Sequence, residues 1–230
     1  MSNETRPRSQ SEEAYTVIRS EILSCRITPG TKILISEMSD RLMFSAGSVR
    51  EALSRLLAEG LVVAEPQRGF RASPISAEEL KDLTRTRALI ESLCLEEAIE
   101  HGDLAWEGRV LAAHHKLART PMLSLPARPQ VDENWSVVHG EFHAALAEGC
   151  CSQWLIRLRQ MLYEQSERYR HLSVPFDESH RDVASEHKEI CDAAVARDRH
   201  AAVRLLREHI ETTTNIVLQG LLSQQVETTS

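Results

Sequence analysis

The chain has 230 residues, 42% of them hydrophobic but only 4% aromatic, and 27 Lys/Arg against 34 Asp/Glu give a net charge of −7. That length suits one or two domains with aliphatic cores, no apolar run of about 18 residues is present to cross a bilayer, and the polar start Met1–Gln10 lacks the apolar stretch of a secretory signal. The acidic balance is uneven: residues 1–75 hold 10 Lys/Arg and 9 Asp/Glu, and the remainder hold 17 and 25. A near-neutral first part can still present a basic face to nucleic acid. The cysteines Cys25, Cys94, Cys150, Cys151 and Cys191 are odd in number and form no disulfide framework or zinc-ribbon spacing, so they are expected to be reduced thiols in a cytoplasmic protein.

In chain order, residues 1–11 are expected to be a disordered tail. Apolar residues at Ala14, Tyr15, Val17, Ile18, Ile22 and Leu23 predict a helix over Glu12–Cys25, ended by Thr28-Pro-Gly30. Ser36 is placed to cap a short helix over Glu37–Leu42. After the turn Ser45-Ala-Gly47, a third helix over Gly47–Ala58 puts Val49, Leu53, Leu56 and Leu57 on its inner face and stops at Glu59-Gly60. Leu61–Glu65 and Phe70–Ala72 flank Pro66-Gln-Arg-Gly69 as a hairpin. Three helices and a hairpin over residues 12–75 give the order of a winged helix-turn-helix, although a small α+β packing domain has the same pattern.

Pro74-Ile-Ser76 marks a boundary. Ser76 is placed to cap a long helix reaching His101, with Leu80, Leu83, Leu89, Ile90, Leu93, Cys94 and Ala98 as its stripe. Further helices are expected over Asp103–Leu117 and about residues 132–148, 151–171, 178–197 and 199–222. Three prolines make residues 118–131 a loop. The expected fold is mainly α: a winged helix-turn-helix unit followed, over residues 76–223, by an all-α helical bundle, with a tail over 224–230.

Four histidines stand out. His139 and His143 are four residues apart and share a helical face. His187 and His209 lie in two later helical stretches. Neutral imidazole is a common transition-metal ligand, so the four are candidate ligands of one centre; the plainer reading of any single one is a hydrogen-bonded core histidine. The other six, His101, His114, His115, His171, His180 and His200, are expected to be solvated.

The segment from Ile27-Thr-Pro-Gly30 through Val49-Arg-Glu-Ala-Leu53 to Glu59-Gly-Leu-Val62 resembles the GntR family of bacterial transcription regulators. The helical remainder resembles the FCD domain of the FadR-like subfamily through Arg87-x-x-x-Glu91, Glu-Phe-His143, Glu-His187 and Glu-His209. Together these cover about residues 13–222. The resemblance implies a homodimeric regulator, a repressor of a catabolic operon, binding a short inverted repeat of double-stranded DNA. The third helix would lie in the major groove, with Ser45, Ser48 and Arg50 near bases or phosphates, Arg55 one turn on, and Arg68 and Gly69 at the wing tip. Alternatives remain for Ser45 as an N-cap and for Arg50 as a partner of Glu51 or Glu37. Where many relatives carry arginine this chain has Ala46, so its operator should differ.

The resemblance also implies a divalent metal held by one aspartate and three histidines. His143, His187 and His209 match the histidines, and His139 stands where relatives often have Asp. An all-nitrogen set favours Zn²⁺ or Ni²⁺ over Mn²⁺ or Mg²⁺. A small carboxylate effector is expected beside the metal, with Arg87, Glu91, Tyr163 and Arg168 as its candidate surroundings. The competing reading is a helical metal-dependent hydrolase using Glu91 or Glu141 as general base.

Overall fold

A computed structural model describes residues 9–65, 69–124, 130–177 and 181–227. Residues 1–76 and 77–230 form two units.

In the first unit, Ser9 caps α1 (Gln10–Leu23), its hydroxyl accepting from the Glu12 amide at 3.2 Å. The helix thus begins inside the expected tail, and it ends two residues before Cys25, which takes a left-handed φ of 56°. Ala14, Ile18 and Ile22, spaced by four, are buried against Val49, Ala52, Leu53 and Leu56 of α3 (Ala46–Ala58). Each fully buried Leu or Ile contributes about 1.5–3 kcal/mol of transfer free energy. Ala52 takes the place expected for Leu57, which is exposed, because the contact follows 49, 52, 53 and 56. Between them α2 (Ile35–Leu42) begins earlier than expected. Leu34, not Ser36, occupies the cap position, because the Leu34 carbonyl already accepts the Met38 amide.

Strands β2 (Val62–Glu65) and β3 (Gly69–Ala72) form the expected antiparallel wing, with Val62 opposite Ala72 and Glu65 opposite Gly69. A two-residue strand the sequence did not reveal, β1 (Lys32–Ile33), pairs with the other edge of β3. Gly60 ends α3 at φ 73°, where a Cβ would be strained.

In the second unit, α4 (Ala77–His101) packs on α7 (Gln153–Ser173) and α9 (Arg199–Glu227); α5 (Leu104–Ala118) packs on α6 (Glu133–Ala147) and α8 (Val183–Val195). A core of Leu95, Trp106, Val110, Phe142, Ile190 and Ile210 joins them. The last helix continues to Glu227, beyond the expected end at 222 and into the expected tail. On α4, Leu89 and Leu93 are exposed rather than buried; Glu91 and Ser92 turn inward instead. The turn after α6 comes close to α4: a Cβ on Gly149 would lie 2.8 Å from the Ala98 carbonyl oxygen. Among the described residues no helix is long and apolar enough to cross a membrane. None of the five cysteines is disulfide-bonded, and Cys94, Cys150 and Cys191 are buried.

Candidate metal centre and nucleic-acid interface

Three helices deliver the four histidines to one point. Asp132 caps α6, accepting from the Asn134 and Trp135 amides, and sets the register that turns His139 and His143 inward. Asp182 caps α8 and positions His187; α9 carries His209. All four are buried, and one ring nitrogen from each lies within 4.8 Å of the others. His139 and His143 approach at 3.2 Å between their Nε2 atoms.

Burial, with the neighbouring Arg170, holds His139 well below the ordinary imidazole pKa, and burial with the surrounding imidazoles does the same for His143 and His187. Burial lowers His209 as well, against the opposing influence of Glu186. Neutral imidazole is the form that ligates a metal. No protein hydrogen bond satisfies His143 Nδ1 or His187 Nε2. A compact cluster of four neutral imidazoles with unsatisfied buried nitrogens fits a divalent transition metal better than it fits a packed apolar core.

The flanks of the cluster are polar. His209 Nδ1 lies 2.8 Å from Glu186 Oε2, and the Arg181 guanidinium also holds Glu186. Burial would raise the Glu186 carboxyl, but the bonds from His209 and Arg181 outweigh it and bring it to about 2. His139 Nδ1 lies 2.8 Å from the Tyr163 hydroxyl, which also accepts from Arg170 at 3.1 Å. Arg170 is held in turn by Glu167. Trp135 stacks on His139 with ring centroids 4.5 Å apart. Glu91 is buried, accepts from Arg87 at 2.6 Å, and lies 3.8 Å from His143 Nδ1. Burial opposes its ionisation, but Arg87 and Arg159 hold its carboxyl below the usual range.

Of the expected effector residues, Arg87, Glu91 and Tyr163 therefore reach the cluster. Arg168 does not: it is buried against the Tyr169 ring and lies 3.8 Å from Glu79. Arg170 comes to His139 instead. The reason is helical register, since Tyr163, Ser166 and Arg170 follow the i, i+3, i+7 face and Arg168 lies off it. Arg181, which no spacing or motif marked, enters from the chain before α8. Arg85 pairs with Asp82 at the surface. Glu141 is exposed and pairs with Lys116, away from the cluster. With Glu91 tied to Arg87, neither proposed general base is free beside the centre. His114 and His171 are half-buried rather than solvated, and His180 lies outside the described residues.

In the first unit, the Ser45 hydroxyl caps α3, accepting from the Ser48 amide at 3.1 Å, and lies 2.9 Å from the Ser48 hydroxyl. Arg50 is exposed, and among the described residues no hydrogen bond or ion pair engages its guanidinium, so the alternative partners Glu37 and Glu51 do not hold it. Arg55 differs. It lies 3.7 Å over the Tyr15 ring and bonds Glu12 at 2.8 Å, bracing α1 against α3. Gly69 opens β3 at φ 94°; Arg68 lies outside the described residues.

A three-helix unit with a β wing, followed by a helical domain built around buried imidazoles, defines a winged-helix transcription regulator. Its first part matches the model of bacterial regulatory proteins of the gntR family over residues 10–71, and its second the FCD domain over residues 82–212. The chain belongs to the GntR family and carries an FCD domain. It is 36% identical to the HTH-type transcriptional regulator BphR of Paraburkholderia xenovorans, covering 94% of this chain and 88% of that one. It is 32% identical to the HTH-type transcriptional repressor GlaR of Escherichia coli K12, covering 91% and 96%. The fold matches E. coli McbR/YncC with a TM-score of 0.74 at 16% identity, covering 93% of this chain and 99% of that one. These relatives are regulators, not enzymes. GntR regulators bind DNA and generally act as dimers.

Proposed function

We propose that the chain is a homodimeric repressor of a catabolic operon, whose helical domain binds a divalent transition metal, Zn²⁺ or Ni²⁺, and a small carboxylate effector that weakens DNA binding. The observation that carries this reading is the convergence of His139, His143, His187 and His209, buried with ligand atoms within 4.8 Å. When bound, the metal would supply a Lewis-acidic position for a carboxylate oxygen; Arg87 and Arg170, paired with Glu91 and Glu167, bring guanidinium N–H donors to one flank. Tyr163 and Glu186 orient His139 and His209, and Glu91 sits behind His143 and holds Arg87. Repression is supported by the name of the 32% identical relative GlaR.

On the DNA side, α3 presents Arg50 and Ser48 to the major groove, and the wing, where Gly69 opens β3, reaches the neighbouring groove. Ser45 serves the helix first as its cap. Arg55, engaged with Tyr15 and Glu12, has at most a phosphate contact. For dimerisation, α4 exposes Leu89 and Leu93, and α7, packed beside it, exposes Trp154, Leu158 and Met161. Two copies of such an apolar face can close on a two-fold axis. The effector switches the protein through its differential affinity for two states, a coupling typically of about 1–3 kcal/mol.

The test is selection of genomic fragments from the bacterium that encodes the protein, at stated physiological salt. One or two enriched fragments sharing an inverted repeat uphold the reading. A folded dimer that enriches nothing, with or without zinc, contradicts it.

A further inference from the structure

The cleft on the Arg87 side of the histidines, between Thr84, Arg87, Ser166 and Thr214, encloses about 20 Å³, and a neighbouring one beneath Trp135 and Arg170 about 30 Å³. Each has room for little more than one water. A larger cavity lies on another side of the histidines. A cavity of about 270 Å³ opens between α5, the chain that follows it, α6 and α8, walled by Leu117, Met122, Trp135, Val183 and Ala184. It abuts the histidine cluster directly. His187 is one of its walls, and Trp135, another wall, is stacked on His139. His187 also carries a buried Nε2 with no hydrogen-bond partner.

The walls select a ligand class. A dry apolar cavity of about 150 Å³ accommodates a benzene ring, so this chamber takes one ring plus several further carbons. Its charged groups are already committed. Arg181 is bonded to Glu186, to the Thr213 hydroxyl and to the His209 carbonyl. Asp182, the other charged wall, caps α8 and repels anions. A carboxylate placed in the chamber would meet no spare cation among the described lining residues.

We infer that this chamber receives the apolar body of the effector, which is an aryl or branched-alkyl monocarboxylate with its single carboxylate at the histidine centre, and not a dicarboxylate. The inference rests on the proposed metal centre for the position of the head group and on the chamber for the body. Ala184 is exposed at the rim, so a larger side chain there fills the chamber without disturbing the core.

The test is calorimetric titration of the full-length, zinc-loaded protein with phenylacetate, acetate and succinate. Phenylacetate is expected to bind at least tenfold more tightly than either other acid. Ala184→Phe should remove that advantage at least tenfold while leaving acetate and zinc binding unchanged. Ala118→Phe, on another exposed part of the wall, provides an independent variant. Equal affinity for phenylacetate and acetate, tightest binding of succinate, or unchanged phenylacetate affinity in both variants would overturn the inference. Zinc is titrated first and alone, so failure of the metal centre is seen separately. In that case benzyl alcohol, which needs no metal, decides the chamber: saturable binding lost in Ala184→Phe upholds it, and no binding overturns it.

Discussion

Glu186 on α8 holds His209 on α9, carboxylate to imidazole at 2.8 Å, while its chain neighbour His187 enters the same cluster. One helix thus supplies both a candidate ligand and the group that orients another. Because Glu186 takes the proton-bearing Nδ1 of His209, the Nε2 lone pair is left for the centre.

Replacing Glu186 with Gln should therefore weaken zinc binding about 10–100-fold, the usual effect of losing a carboxylate behind a ligating histidine. Competition with a chromophoric chelator measures it. An unchanged affinity would show that His209 needs no orienting partner.

Metal occupancy should stabilise the helical domain. At a free zinc concentration about 100 times the dissociation constant, the gain is about 2.7 kcal/mol, or roughly 5–10 °C in Tm for a protein of this size. Thermal scans with zinc and with a chelator should show that difference in the native chain and lose it in His143→Ala.

Two arginines on α3 should separate by function. Arg50→Ala should leave the melting temperature unchanged and reduce operator affinity, by about 1–3 kcal/mol if it contacts a base bidentately. Arg55→Ala should lower the stability of the first unit, because its guanidinium spans Tyr15 and Glu12. Urea melts and fluorescence anisotropy on a labelled operator distinguish the two.

Ser45→Ala removes the cap of the same helix and should destabilise it by about 1 kcal/mol. Ser45→Asp keeps a capping oxygen and should restore stability while adding a negative charge at the DNA face. Recovery of stability together with loss of DNA affinity would place Ser45 close to the backbone phosphates.

The helices were legible where one apolar stripe dominated, as in Ala14, Ile18 and Ile22, and the histidine cluster was legible because an i, i+4 pair forces two imidazoles onto one face. Other features followed from tertiary contacts that periodicity does not encode. Leu89 and Leu93 fit a core stripe equally well, yet the inward face of α4 is given to Glu91 and Ser92 beside the polar centre. Arg168 and Arg170 are equivalent in composition; only the register set by Tyr163 selects Arg170. Strand β1 is two residues long, too short for one exposed and one buried residue to stand out as a strand pattern. The 270 Å³ chamber is assembled from separate segments, none of which marks it alone.

The most direct measurement is a zinc titration of the metal-depleted full-length protein, with the His143→Ala/His187→Ala double variant in parallel. One equivalent per chain, bound tightly by the native protein and lost in the variant, is the predicted result. No saturable binding, or binding that the double variant retains, would contradict a metal centre at these histidines and with it the proposed basis of effector control.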